Sequence, residues 1–203
     1  MLITGIKSRP VYETLTPFER GTVHLVVGQG GGGAAMLRLL RELKEGGTPA
    51  SRIRVMYSTQ SFSGANHLAD IERECPDETG VFVSNAALVD GLRSMLDAAH
   101  MGLRLYLSGS ESFIGNAMQV ASEFNLNRDE VKREHNGTFV RRVWCVHCDA
   151  RNEDVTRRVF RCGGCGIDLI VRDHYSTRMA AFMGVKFDAE QTGAAQPDEE
   201  LDT

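Results

Sequence analysis

The 203-residue sequence predicts an α/β chain: a parallel-sheet domain followed by a small β module built around four cysteines. Three observations lead there. Apolar strand-like runs alternate with helical stripes from residue 23 to about 134. A glycine-rich turn, GQGGGG at 28–33, joins the first run to the first stripe. Two Cys-x-x-Cys pairs, Cys145/Cys148 and Cys162/Cys165, stand thirteen residues apart near the C-terminal end.

The expected strands are VHLVVG (23–28), IRVMYST (53–59), VFVS (81–84), LRLYLS (103–108) and EVKREH (130–135). The first four are apolar and β-branched, as strands buried on both faces tend to be. Between them, Leu88, Leu92, Met95, Leu96 and Ala99 recur at helical spacing, and Phe113, Ala117, Val120, Ala121 and Phe124 repeat the pattern. Each stripe puts its large apolar groups on one side of a helix facing a sheet. Gly46-Gly47 with Pro49 ends the first helix, and Asn125 suits the left-handed position after the last. Short connections imply right-handed crossovers around one parallel sheet.

Ligands of such sheets sit beyond the carboxyl ends of the strands, which directs attention to residues 28–33, 58–63 and 108–112. Gly28, Gly30 and Gly33 satisfy G-x-G-x-x-G, a spacing that lets backbone N–H groups approach a pyrophosphate at a helix start. The absence of Gly-Lys-Ser/Thr excludes a Walker A loop. After the second strand the chain reads Ser58-Thr59-Gln60, with no carboxylate for a ribose. Two readings stay open: a dinucleotide site, or a tight strand-to-helix turn.

The cysteine pairs carry the strongest signal. Each can curl into a turn whose N–H groups point at the sulfurs, and Gly163, Gly164 and Gly166 supply freedom for the second. Four thiolates meeting tetrahedrally suit zinc, or iron in a rubredoxin-like site. The intervening residues 149–161 read as a short hairpin, followed by a strand IDLIVRD. His147 reads as an exposed residue of the first turn, and Cys75 as a loop thiol. Farther on, Met179, Phe182 and Met183 give an apolar face, and His174, Tyr175 and Arg178 a polar one. The second cysteine turn, Cys-Gly-Gly-Cys with few aromatics nearby, favours zinc over iron.

Hydrophobic content of 42% supports a real core, and no eighteen-residue apolar window offers a membrane span. The N-terminus lacks the features of a secretory signal, so a cytoplasmic location is expected. Residues 189–203 hold five acids and no Lys or Arg and read as a disordered, solvated tail. Without them the chain has 23 basic against 22 acidic residues, which gives no support to a general nucleic-acid binder. The basic stretch from Lys132 to Arg161 leaves a zinc-ribbon nucleic-acid binder as a third reading, carried by Arg141, Arg142, Arg157, Arg158 and Arg161.

VVGQGGGGAAMLRLLREL, IRVMYSTQS and LRLYLSGSESFIGNAMQVASEFNLNRDEVKRE come in the order seen in ferredoxin reductases. Residues 23–135 thus resemble the nicotinamide-binding half of that family, and residues 139–175 resemble a zinc-ribbon or rubredoxin-like module. The resemblance implies a pyrophosphate on Gly28, Gly30, Gly31 and Gly33 and an adenosine ribose at Ser58 and Gln60. It places Ser108-Gly109 where the family has a Cys-Gly-Pro turn beside the nicotinamide. Gln60 stands where an arginine is often found. Only about twenty residues precede the first strand, too few for the family's flavin barrel.

Taken together, SRPVYETL, the reductase-like half, VWCVHC, CGGCG and VRDHYSTRMAAFMGV resemble the small A-type subunit of bacterial dimethylamine monooxygenase. That resemblance implies partners: a haem-bearing catalytic subunit, and a reductase subunit with FMN and a [2Fe–2S] cluster. Such complexes use NADPH and oxygen to turn dimethylamine into methylamine and formaldehyde. The expected organisation is an extension (1–22), a nucleotide-binding-type domain (23–135), a metal module with a docking segment (139–188) and the acidic tail (189–203). This chain is then expected to be an accessory subunit carrying zinc, with NADPH as a further ligand. The alternative is a rubredoxin-like electron carrier serving an oxygenase.

Overall fold

The computed structural model describes residues 8–75, 79–137, 139–189 and 200–201. The chain divides into two compact units, residues 12–138 and residues 139–203 together with 1–11. Of the segment 1–22, residues 8–11 therefore belong to the second unit and 12–22 to the first.

In the first unit the order is β1 (Val23–Gln29), α1 (Gly33–Glu45), β2 (Ile53–Ser58), α2 (Leu68–Glu74), β3 (Thr79–Phe82), α3 (Asn85–Asp97), β4 (Leu103–Gly109), α4 (Glu111–Glu123) and β5 (Val131–His135). The five strands are parallel, in the order β3-β2-β1-β4-β5. This is the doubly wound arrangement. Its core follows from the two-residue period of a strand. Leu25 and Val27 face the α3 and α4 side chains Leu88, Leu92, Phe113 and Ala117. Val26, between them, faces Met36, Leu40 and Ile71 from α1 and α2.

The helix boundaries have local causes. Gly46 caps α1 and Gly47 follows at φ +80°. Ser84 and Ser110 cap α3 and α4 by accepting the N–H of Ala87 and Phe113. Asn125 takes φ +57° after α4, as expected. The third strand lies two residues earlier than apolarity placed it, because Ser84 is spent on the cap and Val83 is 87% exposed. Helix α2 had no periodic signal, since Ile71 is its one buried side chain.

The second unit holds β6 (Arg141–Cys145), β7 (Arg151–Val155), β8 (Val159–Arg161), β9 (Asp168–Ser176) and β10 (Ala181–Lys186), in the order β7-β6-β10-β9-β8. Strand β10 runs parallel to β6 and antiparallel to β9. Val143, Val155, Val171, Phe182 and Leu201 form the core. The hairpin expected within 149–161 does not form: β7 and β8 occupy opposite edges, and each pairs across a cysteine turn, with β6 and β9 respectively. Residues 174–183 form an antiparallel pair that turns at Ala180 (φ +49°). Ser8 and Arg9 join this unit: the N–H of Tyr175 donates to Ser8 Oγ (2.9 Å), and Arg9 pairs with Asp173 (2.8 Å).

Residues 190–199 and 202–203 of the expected tail lie outside the described residues. Glu200 and Leu201 depart from a solvated tail: Leu201 is 6% exposed, and its N–H donates to the Thr156 carbonyl at 2.8 Å. Apolar burial accounts for the return of this segment. Among the described residues, no helix is long and apolar enough to cross a membrane.

Candidate metal centre and the carboxyl-end crevice

The two cysteine turns of the second unit obey one local rule. The first cysteine ends a strand or directly follows one, and its N–H donates to the carbonyl five residues on: Cys145 to Ala150 and Cys162 to Ile167, both at 2.9 Å. Four residues on, Asp149 (φ +61°) and Gly166 (φ +72°) return an N–H to the cysteine carbonyl at 3.0 Å. The left-handed position explains Gly166, and Asp is among the few other residues that tolerate it.

This geometry gathers all four sulfurs within 4.8 Å of one another. The Cys145–Cys165 and Cys148–Cys162 separations are 3.9 and 3.7 Å. An ion about 2.3 Å from four tetrahedral sulfurs sets them about 3.8 Å apart, whereas a disulfide needs about 2.05 Å. The donor set therefore fits a tetrathiolate ion. Gly164 N–H and the Asn152 amide point at Cys162 Sγ, at 3.4 and 3.7 Å. Asn152 also accepts the Gly163 N–H at 2.8 Å, which fixes its amide.

The titration of the cluster asks for a cation. Burial opposes charge on Cys162, yet the N–H groups of Cys165 and Gly164 and the Asn152 amide outweigh it and bring its pKa to about 6. Burial pushes the Cys145 thiol up. The Ala150 N–H favours a thiolate at Cys148, but burial and the other three sulfurs push it up to about 12. One negative charge is easy and four are not, unless a divalent ion shares them. Cys145 and Cys162 are buried, while Cys148 and Cys165 are half-buried. His147 is exposed on the first turn, as expected, and Cys75, just past α2 as its C-cap residue, is buried.

In the first unit, the register brings the expected nucleotide-site residues to one end of the sheet. Gly28 lies beside Tyr57 and Ser108, and Gln29 beside Ser58. Gly30, Gly31 and Gly33 follow in a single 3-10 turn and the start of α1. Gln60 sits in the turn after β2, where its Oε1 accepts the Asn85 N–H at 2.8 Å, and Gly109 is the last residue of β4. The hydroxyls of Ser58 and Ser108 are buried and turned inward, with Ser108 donating to the Gly32 carbonyl at 2.8 Å.

Close approach within the chain accounts for most of the glycines. A Cβ on Gly28 would stand 2.2 Å from Met36 Sδ, on Gly32 2.4 Å from the Ser108 carbonyl, and on Gly33 2.5 Å from the His67 side chain. Gly30 takes φ +51°. Beside Gly31 alone of these, no atom lies closer than 3.8 Å.

Two bracing residues gave no sequence signal. The buried Gln29 side chain donates to the Gln60 carbonyl (2.6 Å) and accepts the Ser110 N–H (3.0 Å), linking the turns after β2 and β4. Tyr57, kept a phenol by burial, donates to the Gly30 carbonyl (2.7 Å) and accepts the His67 N–H (2.9 Å). Nearby, Tyr12 donates to the buried Glu111 carboxylate at 3.2 Å. Glu134 accepts the Leu15 N–H (2.6 Å) and pairs with Arg38.

Comparison with known proteins agrees with this two-part organisation. Residues 4–131 match the family "dimethylamine monooxygenase subunit DmmA-like, N-terminal domain", and residues 142–185 match its C-terminal domain. The heme-dependent oxidative N-demethylase delta subunit of Ectopseudomonas mendocina (strain ymp) is 36% identical over 110 residues, covering 54% of this chain and 63% of that relative. Among solved structures, an intact type IV self-sufficient cytochrome P450 monooxygenase aligns with TM-score 0.49 and 15% identity, over 81% of this chain and 20% of that one. The ferredoxin reductase in carbazole 1,9a-dioxygenase aligns with TM-score 0.43 and 15% identity, over 60% of this chain and 34% of that one.

Proposed function

The chain belongs to the dimethylamine monooxygenase subunit DmmA-like family, and from that premise we propose that it is a non-catalytic subunit of a haem-dependent N-demethylase complex. The complex would use NADPH and oxygen to demethylate dimethylamine, with haem, FMN and the [2Fe–2S] cluster on partner subunits. This chain's part is to dock and brace. The observation that carries the reading is the crevice. Gln29, Tyr57 and Ser108 bind the turns to one another, so the reductase-type surface is held rigid by the chain's own side chains.

Zinc is the ion this reading assigns to Cys145, Cys148, Cys162 and Cys165. It holds two hairpins that share no strand pairing with each other, a structural task that requires no redox change. A second reading, electron transfer through iron, draws support from the half-buried Cys148 and Cys165, which bring sulfur near the surface. Metal analysis with an absorption spectrum separates them, since an iron-loaded, red protein would reverse the assignment. NADPH at Gly28–Gly33 is a further proposal, supported by the space beside Gly31.

The subunit reading is tested by producing the haem and flavin subunits with and without this chain. NADPH-driven dimethylamine turnover should fall sharply when the chain is omitted. Full turnover in its absence would overturn the proposal.

A further inference from the structure

A cavity of about 600 Å³ opens at the other end of the parallel sheet, by the amino-terminal ends of β1 and β2. Its walls include Phe18, Arg20, His24 and Arg52, with Glu19 and Glu42 also facing it. The volume lies within the range of small-molecule sites. From His24 to the glycine turn is about 15 Å along β1, so this is not the crevice described above.

The hydrogen bonds of Tyr106 set the state of His24. The Phe18 N–H donates to the Tyr106 hydroxyl at 2.9 Å, and that hydroxyl lies 2.9 Å from His24 Nδ1. Because the Phe18 N–H already donates to that oxygen, the arrangement that also uses the phenol hydrogen has Tyr106 donating to Nδ1, and a neutral imidazole then carries its hydrogen on Nε2. Burial, then the positive charges of Arg104 and Arg52, hold the His24 pKa below its usual value and keep the ring neutral.

The Cε1–Nε2 edge of the ring faces Gly21, another wall residue: a Cβ there would stand 3.1 Å from either atom. His24 itself is only 4% exposed, so its Nε2–H is a buried donor at the cavity wall. Two guanidinium groups share that cavity. Among the described residues, neither Arg20 nor Arg52 has a carboxylate within ion-pair distance, while Glu42 lies 3.9 Å from Arg38 and Arg104 pairs with Glu130. Glu19, exposed to solvent, also lines the cavity beside Arg20.

We propose that this cavity binds a small oxyanion-bearing metabolite, its carboxylate or phosphate held by the Nε2–H of His24 and the guanidinium groups of Arg20 and Arg52. Phe18 and Pro17 supply an apolar wall for the ligand's body. Charge-assisted donors are the strong class of hydrogen bond, and a planar guanidinium matches either anion with two parallel bonds.

The test uses the full chain labelled with ¹⁵N-histidine, followed by NMR during titration with benzoate or with phenyl phosphate. Sodium chloride at matched ionic strength serves as the control. At least one probe should shift the His24 ring resonances saturably, and the one that does so at lower concentration identifies the headgroup. Arg20 and Arg52 are exposed, so the double variant R20A/R52A keeps the fold and should weaken binding roughly tenfold or more. No saturable shift with either probe would overturn the proposal, as would a double variant that binds as tightly as the parent. Neither result depends on the demethylase reading.

Discussion

Replacing Cys162 by alanine should unfold the second unit and spare the first. The residue is buried and receives Gly164 N–H and the Asn152 amide, so its loss removes one ligand and strands two donors. The apolar core beneath it consists of Val143, Val155, Val171, Phe182 and Leu201. At about 1.5–3 kcal/mol each, these side chains contribute roughly 7–15 kcal/mol. A structural ion contributes about 10 kcal/mol, as much as the whole core. Since a domain's net stability is only about 5–15 kcal/mol, a unit braced by such an ion is left near zero, at about −5 to +5 kcal/mol, without it. Hydrogen exchange read by mass spectrometry measures this directly. In C162A, and in the parent after chelation, peptides over Asp168–Ser176 and Ala181–Lys186 should exchange at the unfolded rate. Peptides over Val23–Gln29 and Leu103–Gly109 should stay protected. Protected β9 and β10 amides in the metal-free protein would refute the reasoning.

Two further perturbations probe separate features. Gly32→Ala drives a methyl group to 2.4 Å from a backbone oxygen and should cost about 3 kcal/mol in urea unfolding. Gly31→Ala meets only ordinary contacts at 3.8 Å and should stay within about 0.5 kcal/mol, yet it should weaken any NADPH binding measured by calorimetry, because its methyl group would stand where a pyrophosphate would approach. Asp173 bears on acid stability. Burial opposes its charge, but Arg9, Arg141 and Arg158 prevail and hold its pKa below the usual value. A depressed carboxylate pKa stabilises the fold above the unfolded value of about 3.9 and loses that contribution as the pH falls below it. The urea midpoint of the parent should therefore drop faster than that of Asp173→Asn below about pH 4, and parallel curves would disprove the pairing.

The parallel sheet was legible because its strands are apolar enough to be buried on both faces, and the four-cysteine cluster because four thiols at that spacing have few uses other than gathering at one point. What escaped was non-local. β3 is an edge strand, and the exposed Val83 just beyond it mimics a core residue, so apolarity alone put the strand two residues late. Residues 149–161 are contiguous and short, which invited a hairpin; yet each cysteine turn closes its own pair of strands and sends β7 and β8 to opposite edges. Gln29 belongs to no motif beyond its place in the glycine turn. Its role depends on Gln60 and Ser110, which only the register of β1, β2 and β4 brings within reach.

The last strand of the smaller sheet, β10, lies in its middle, between β6 and β9. While the polypeptide is being made, both of those strands must therefore wait with open hydrogen-bonding edges until residue 186 has left the ribosome. A nascent chain stalled or clipped before Ala181 would expose two sticky borders at once. Such fragments should aggregate or call for a chaperone, even with every cysteine already in place.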